Sequence, residues 1–469
     1  MLFLQKESLK QRAQSLVPLR NDFQLVIEEY NEGAMFSWIN EAKDEGISVE
    51  LDSFGNLTRL SIDTSNDCSD VSSLTIDEKK ARAEHFLLSH YPDALNNLTF
   101  YQTKQLSCAD RFYYEQLVFN LPLPRAGCFI DIDSSGDIIT FTYNGVKPIP
   151  EIPTTFISKE ALQEHVRNHL DLQLTITNLS KSVHHVSENG LRLVYEVNSF
   201  HQYKADTLQS TLTIVHEEHE PENYMSVPPF SFTTVDKQLS IEEIIGITDN
   251  MEIIREVDWD YEIGIVWRDK EWAMKKEDYS MNSFFMKRSE DTVKAFISKE
   301  TGKVRSFMWF LERQGDLQLN HEECFQKAIQ FLQIIVPDVY PYLQQVVRER
   351  EEDDNSMKES FVFYLHNRHG ITIQELVVVA VNRTTGLVDY YSGPRIHIEQ
   401  LRALPTEPAI SLHDAQKIVC NHMDFELAWK KDYDSETDTY FLTYQLCDQH
   451  TRNSIRYIDA MTGAVITDK

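Results

Sequence analysis

One phrase recurs along this chain and limits what it can fold into. In Tyr457-Ile458-Asp459-Ala460-Met461-Thr462-Gly463-Ala464-Val465 an apolar run meets a polar turn, a glycine reverses it, and a second apolar run leaves. The phrase recurs as Ala380 to Val388 around Gly386, as Phe296 to Val304 around Gly302 and, one residue shorter, as Ile132 to Ile138 around Gly136 and Leu51 to Leu57 around Gly55. Five of the fifteen glycines occupy this one position. An Asp, Asn or Ser that caps its own backbone, followed by a Gly that accepts positive φ, is hairpin chemistry. A repeat protein is therefore expected, with these glycines as structural turn residues.

Upstream of the hairpins lie helices with polar caps. The caps at Thr75, Ser158, Ser240, Asn320 and Ser411 stand 83, 82, 80 and 91 residues apart. Four of them open capping boxes with an acid three residues on: Thr75/Glu78, Ser240/Glu243, Asn320/Glu323 and, more weakly, Ser411/Asp414. Each helix carries a 3.6-period apolar stripe, such as Ala83, Phe86, Leu87 and Tyr91, or Cys324, Ala328, Phe331, Leu332 and Ile335. Runs rich in aromatic and β-branched residues follow, among them Tyr113 to Phe119, Tyr261 to Trp267 and Tyr440 to Tyr444.

The expected fold class is α+β, as tandem repeats of one helix packed on a small antiparallel sheet of three to four strands. Six units are read at 1–65, 74–146, 157–220, 240–312, 320–394 and 411–469. The third departs from the pattern, because its last strand near Thr211 to Val215 ends without a glycine. The segment from Glu220 to Pro229 reads as a linker between two three-unit halves, and the charged run Arg348 to Asp354 as a solvated loop.

The closing phrase, apolar-Asp-x-x-Thr-Gly-x-Val, resembles that of the PepSY-type domain, best at Asp459, Thr462, Gly463 and Val465 and next at Asn382, Thr385, Gly386 and Val388. The tandem layout over most of the chain resembles the YcdB/YcdC repeat proteins. The first resemblance implies a non-catalytic module, in some relatives an inhibitory or regulatory partner of peptidases. The second implies no established activity.

Bulk properties narrow the partners. With 42% hydrophobic residues over 469 positions, packed cores are affordable, and a formal charge of −29 repels nucleic acid and anionic membranes. No apolar stretch is long enough to span a bilayer, and the N-terminus meets charge at Lys6 and Glu7, so neither membrane insertion nor a signal peptide is expected, and cytoplasmic localisation follows. The cysteines, Cys68, Cys108, Cys128, Cys324, Cys420 and Cys447, are scattered and read as reduced thiols.

Searches for chemistry return little. The chain lacks Gly-x-Ser-x-Gly, Walker A, Gly-x-Gly-x-x-Gly, Cys-x-x-Cys and His-Glu-x-x-His patterns. His165 and His169 share a helix face, and His216 and His219 flank two glutamates, but a zinc site needs three or four converging ligands and neither pair has an evident third. Cys324 opens a helix yet falls on its apolar stripe, which favours a buried thiol over a reactive one. No catalytic residue, metal or cofactor is expected. Three of the six tryptophans cluster within Asp258 to Trp272, and Trp259, Tyr261, Trp267 and Trp272 are candidate binding residues, with sheet-core packing as the competing reading.

The expected function is a non-enzymatic binder of an unidentified protein or peptide in a regulatory role. The alternative is a hydrolase or other enzyme whose site assembles from distant residues.

Overall fold

The computed structural model describes residues 3–63, 74–197, 202–211, 223–229, 239–274, 278–347, 356–367, 370–433, 435 and 437–469. Helix and strand are mixed, and sheet predominates. Local chemistry sets the helix starts. Thr75, Ser240 and Asn320 make full capping boxes before the helices Ile76–His90, Ile241–Ile245 and His321–Ile335, while Ser158 and Ser411 cap Lys159–His169 and Leu412–His422 through the hydroxyl alone. Each cap satisfies a first-turn N–H that would otherwise go unbonded.

The turn glycines all have positive φ: +86° at Gly55, +91° at Gly136, +63° at Gly302, +69° at Gly386 and +76° at Gly463. Each N–H donates back to the carbonyl of the residue that opens its turn, Asp52, Asp133, Ser298, Asn382 or Asp459. That residue's side chain accepts turn amides as well, as Asp459 Oδ1 does from Met461 N at 3.0 Å and Thr462 N at 2.9 Å.

The strands do not remain in separate small sheets. Two four-strand meanders, beginning at Phe23–Tyr30 and Thr99–Gln105, join through their last strands, Leu57–Asp63 and Ile138–Gly145, into one eight-stranded sheet. The same joint recurs where Val304–Trp309 pairs with Val388–Ser392, within a thirteen-stranded sheet. Joining last strands removes two exposed edges at once.

The third and sixth blocks are interleaved instead. Gly190–Val197 pairs with Ile455–Asp459, while the short strand Gln202–Lys204 leaves its own block to pair with Tyr440–Asp448. This changes the reading of the third block: its third strand is Gln202–Lys204, Thr211 N donates to Gln202 O at 2.9 Å, and the continuation from Leu212 lies outside the described residues. Lys159 on one block and Arg452 on the other both bind Asp424.

The linker reading of Glu220 to Pro229 also changes. Asn223–Ser226 is a strand, paired antiparallel with Leu343–Val347, so this segment closes a sheet edge. Residues 220–222, like the charged run from Arg348, lie outside the described residues. A helix the sequence reading did not anticipate, Met281–Ser289, packs against Phe23–Tyr30, where Glu28 N donates to Tyr279 O at 2.6 Å. Two large cores result. One lies under the eight-stranded sheet around Phe36, Leu87, Phe112 and Phe141, and the other runs through the rest of the chain.

Candidate functional site

The hairpin formed by Met251–Asp258 and Glu262–Asp269 holds the four candidate aromatic residues, and the structure separates them. Trp259 N donates to Glu262 O at 2.9 Å, closing the turn. The Trp259 indole lies over Gly264 and stacks on Phe296, with ring centroids 5.4 Å apart. A Cβ at Gly264 would stand 2.8 Å from that indole, so only glycine leaves room for it. Trp259 stays 45% exposed and Tyr261, beside it, 71%.

Trp267 is a correction to the candidate set. It is 3% exposed, placed between Ile253 and Val293 on neighbouring strands and inside the larger core, because its side of the pleat faces that core. Trp272 is half-buried at the far end of the hairpin, its ring under the Arg268 guanidinium at 3.8 Å. The four aromatics therefore do not converge on one pocket.

Met251–Asp258 is an edge. Among the described residues it pairs only with Glu262–Asp269, and most of its side chains are exposed, including Ile253 and Ile254. A bulge between Ile253 and Arg255 twists it. At the hairpin tip, Tyr261 forms one wall of a cleft of about 750 Å³. Its floor is apolar, from Val304, Ile335, Val339, Tyr391 and Ile396, and its rim carries Lys299, Lys303, Arg305 and Arg395. Lys299 bonds Asp258 and Arg305 bonds Glu262, so the cleft is tied to both strands of the hairpin. Gly393 lets the chain pass at the cleft wall, since a Cβ there would meet the Tyr391 hydroxyl at 2.2 Å. Behind it, burial raises the Glu375 carboxyl above its ordinary range, although the backbone N–H of Arg395 donates to it. An edge beside an apolar-floored cleft can hold an extended chain. His397 Nε2 stands 3.5 Å from Glu300 on its wall, and among the described residues no hydroxyl of the lining is hydrogen-bonded to that imidazole.

The other sequence candidates are placed plainly. His165 and His169 lie with ring centroids 4.4 Å apart, and His169 Nδ1 is 2.8 Å from His165 O; no group of three or more metal-ligating side chains occurs among the described residues. His216 and His219 lie outside those residues. Cys324 is fully buried in the core. The reduced-thiol reading needs correction: Cys108 is disulfide-bonded, Cys128, Cys324, Cys420 and Cys447 are free, and Cys68 lies outside the described residues. No described helix is long and apolar enough to cross a membrane. The cleft was missed because its residues come from four separate stretches, although the repeated turn Ser298 to Lys303 supplies one wall.

A family model, the YcdB, YcdC repeated domain, matches residues 6–145 and 235–395. The chain belongs to this family. Each match spans two joined meanders, and each ends before an interleaved block, so the long repeat of this YcdB/YcdC chain is half its length. YcdB of Bacillus subtilis (strain 168), an uncharacterized protein, is 30% identical over 98% of both chains. YcdC of the same organism, also uncharacterized, is 28% identical over 92% of this chain and 94% of its own. Among known structures, the Bacillus megaterium YpeB C-terminal domain aligns with 48% of this chain and 93% of its own, at 15% identity and a TM-score of 0.25.

Proposed function

We propose that this protein is a non-catalytic, regulatory binder that captures an extended peptide by strand addition along Met251–Asp258. One observation carries the reading: the two long repeats have equivalent edge strands, and among the described residues only one is occupied. Phe23–Tyr30 and Met251–Asp258 each open a four-strand meander, and each has a bulge at the same place, between Leu25 and Ile27 and between Ile253 and Arg255. Counted from the bulge, Glu28 corresponds to Glu256. Glu28 N reaches outward to the Tyr279 carbonyl, whereas Met251–Asp258 has no second strand beside it among the described residues. An incoming chain would meet the Glu256 amide as the Tyr279 carbonyl meets Glu28.

The strand Asn223–Ser226 is a second precedent, a segment of this chain adding to another edge of the same sheet. Main-chain bonds give such a complex its affinity, and alternate side chains its selectivity. Exposed Trp259 and Tyr261 would anchor the peptide at the hairpin tip, replacing the buried Trp267 in that role. The PepSY-like closing phrase supports a non-catalytic module. Six units of one helix and three or four strands, with the bounds read from sequence, are the repeat we propose beneath the long one.

Selection from a displayed library of random peptides against the full chain tests the reading. Enriched peptides should slow hydrogen exchange at the amides of residues 251–258, and Ile254→Lys or the pair Trp259→Ala and Tyr261→Ala should abolish binding with the melting temperature kept. Peptides that bind without protecting this edge, or no enrichment at all, overturn it.

A further inference from the structure

The outer face of the same hairpin gathers four cations that pair with no carboxylate among the described residues. Arg255 stands opposite Val266, and Val266 opposite Lys294, across three adjacent strands. Arg268 lies two residues beyond Val266, and Arg288 comes from the helix Met281–Ser289 packed nearby. Among the described residues none of the four makes an ion pair. Arg268 donates through Nε to Glu290 O at 3.1 Å and through Nη2 to Lys287 O at 3.0 Å, and Lys294 Nζ donates to Ser289 Oγ at 2.8 Å. The cations rest instead on aromatic rings, Arg288 on Phe284 at 3.8 Å, Arg268 on Trp272 at 3.8 Å and Lys294 on Phe310 at 4.6 Å. A ring holds a guanidinium by its flat side and leaves the N–H edges open.

This arrangement works against the ionised state. Burial pushes Lys294 below the ordinary lysine range, and Arg255 and Arg268 push it further. Burial likewise lowers Arg288, helped by Arg255. At Arg268 burial lowers the guanidinium too, opposed by the carboxylates of Asp291 and Glu290. In a chain of net charge −29 carboxylates are abundant, and Glu252 stands opposite Arg268 across the strands, yet among the described residues none forms an ion pair with these four cations. Four cations gathered on one face, held by rings and neutral oxygens and by no ion pair among the described residues, can accept an anion.

We infer that Arg255, Arg268, Arg288 and Lys294 receive an acidic side chain of the extended peptide bound along Met251–Asp258. The inference rests on the edge reading above and names the ligand class, an acidic peptide. Arg255 belongs to the edge strand itself, so a chain added there sets every second side chain on the outer face beside it. Arg268 and Lys294 already hold oxygen acceptors, which leaves the guanidinium groups of Arg255 and Arg288 to take one carboxylate by paired N–H bonds. Nucleic acid is the less favoured anion, because the rest of the surface repels it.

The test uses the full chain and a short acetylated, amidated peptide alternating Val with Glu, against the same peptide with Gln. The Glu peptide should bind at least about tenfold more tightly, as a charged hydrogen bond would give. Arg255→Gln and Arg288→Gln should each bring the Glu peptide's affinity down to that of the Gln peptide. If Ile254→Lys abolishes both peptides while Glu and Gln bind alike, the edge stands and this inference falls. If neither peptide binds, N-acetylglutamate amide is titrated while the Arg Nε–H signals are followed by nuclear magnetic resonance. Shifts at Arg255 and Arg288 then support the carboxylate site without the edge, and their absence overturns it. Inorganic phosphate shifting those signals more strongly than the carboxylate overturns the assignment to an acidic side chain.

Discussion

Replacing Gly463 and Gly302 by alanine separates two costs that the repeated turn combines. Both sites have positive φ, +76° and +63°, where a Cβ costs about 1–2 kcal/mol. Alanine also narrows the unfolded ensemble, which returns about 0.4–1 kcal/mol. At Gly302 nothing lies within 4 Å of an added Cβ, so the net loss should be about 0.5–1 kcal/mol. At Gly463 the same atom would stand 2.8 Å from Ile410 Cδ1 and 3.1 Å from Ile418 Cδ1, both packed against the main core. Crowding of this kind adds about 1–2 kcal/mol, for a total of about 2–3 kcal/mol. Urea unfolding followed by tryptophan fluorescence gives the comparison, since Trp429 is buried in the sixth block. Ile410→Val removes the nearest methyl, so the double variant should recover about 1 kcal/mol relative to the sum of the single changes. Equal losses at the two glycines, or no recovery in the double variant, would refute the claim that helix packing and turn conformation are coupled at Gly463.

Other expectations follow from buried charge and sulfur. Burial opposes ionisation of Asp424, but hydrogen bonds from Lys159 and Arg452 outweigh it and hold the carboxyl down at about 2. Its stabilising effect is therefore complete above the unfolded value of about 3.9 and lost as pH falls toward 2. Asp424→Asn should cost about 1–2 kcal/mol at neutral pH and nothing near pH 2 on melting curves. Asp389 is fully buried and binds Arg313, Lys358 and Asn382. Asp389→Asn strands the Arg313 charge and should cost about 3–5 kcal/mol in the same assay, whereas a loss below about 1 kcal/mol would mean that water reaches the guanidinium. In denaturant, Cys128, Cys324, Cys420 and Cys447 should be alkylated before reduction and Cys108 only after it; alkylation of Cys108 before reduction would rule out its disulfide.

What could be read from the sequence was local. The caps at Thr75, Ser240 and Asn320 and the turns at Asp52 and Asp459 close within a few residues, so side-chain type and spacing determine them. The helix Met281–Ser289 was also within reach, since Ser280 caps it, but it interrupts a strand-rich stretch and carries a weak stripe. Trp267 misled because both faces of its strand pack, Val266 and Arg268 being buried beside it, so alternation gave no inside and outside. Pairings between Gly190–Val197 and Ile455–Asp459 join residues far apart, and no short pattern encodes them. The cation cluster was illegible for the same reason. Arg255, Arg288 and Lys294 sit on three elements and look like ordinary surface charge until the fold superposes them.

Edges connect the stability of this chain to the function proposed for it. A block of four strands exposes two edges, and the molecule closes them by four devices: last strands pair, two blocks interleave, Asn223–Ser226 covers Leu343–Val347, and Tyr279 caps Phe23–Tyr30. Of the first strands of the meanders, Thr99–Gln105 and Met251–Asp258 remain open among the described residues. They are guarded differently. Thr99–Gln105 exposes mainly threonine, glutamine and lysine, a composition that discourages a visiting strand. Met251–Asp258 exposes Ile253 and Ile254 and ends against Trp259 and Tyr261, with cations that form no ion pair among the described residues on one face and an apolar-floored cleft at its tip. Apolar residues on an unpaired edge carry a risk of aggregation. On the reading proposed above, a partner strand covers this edge, and the cations beside it select an acidic one.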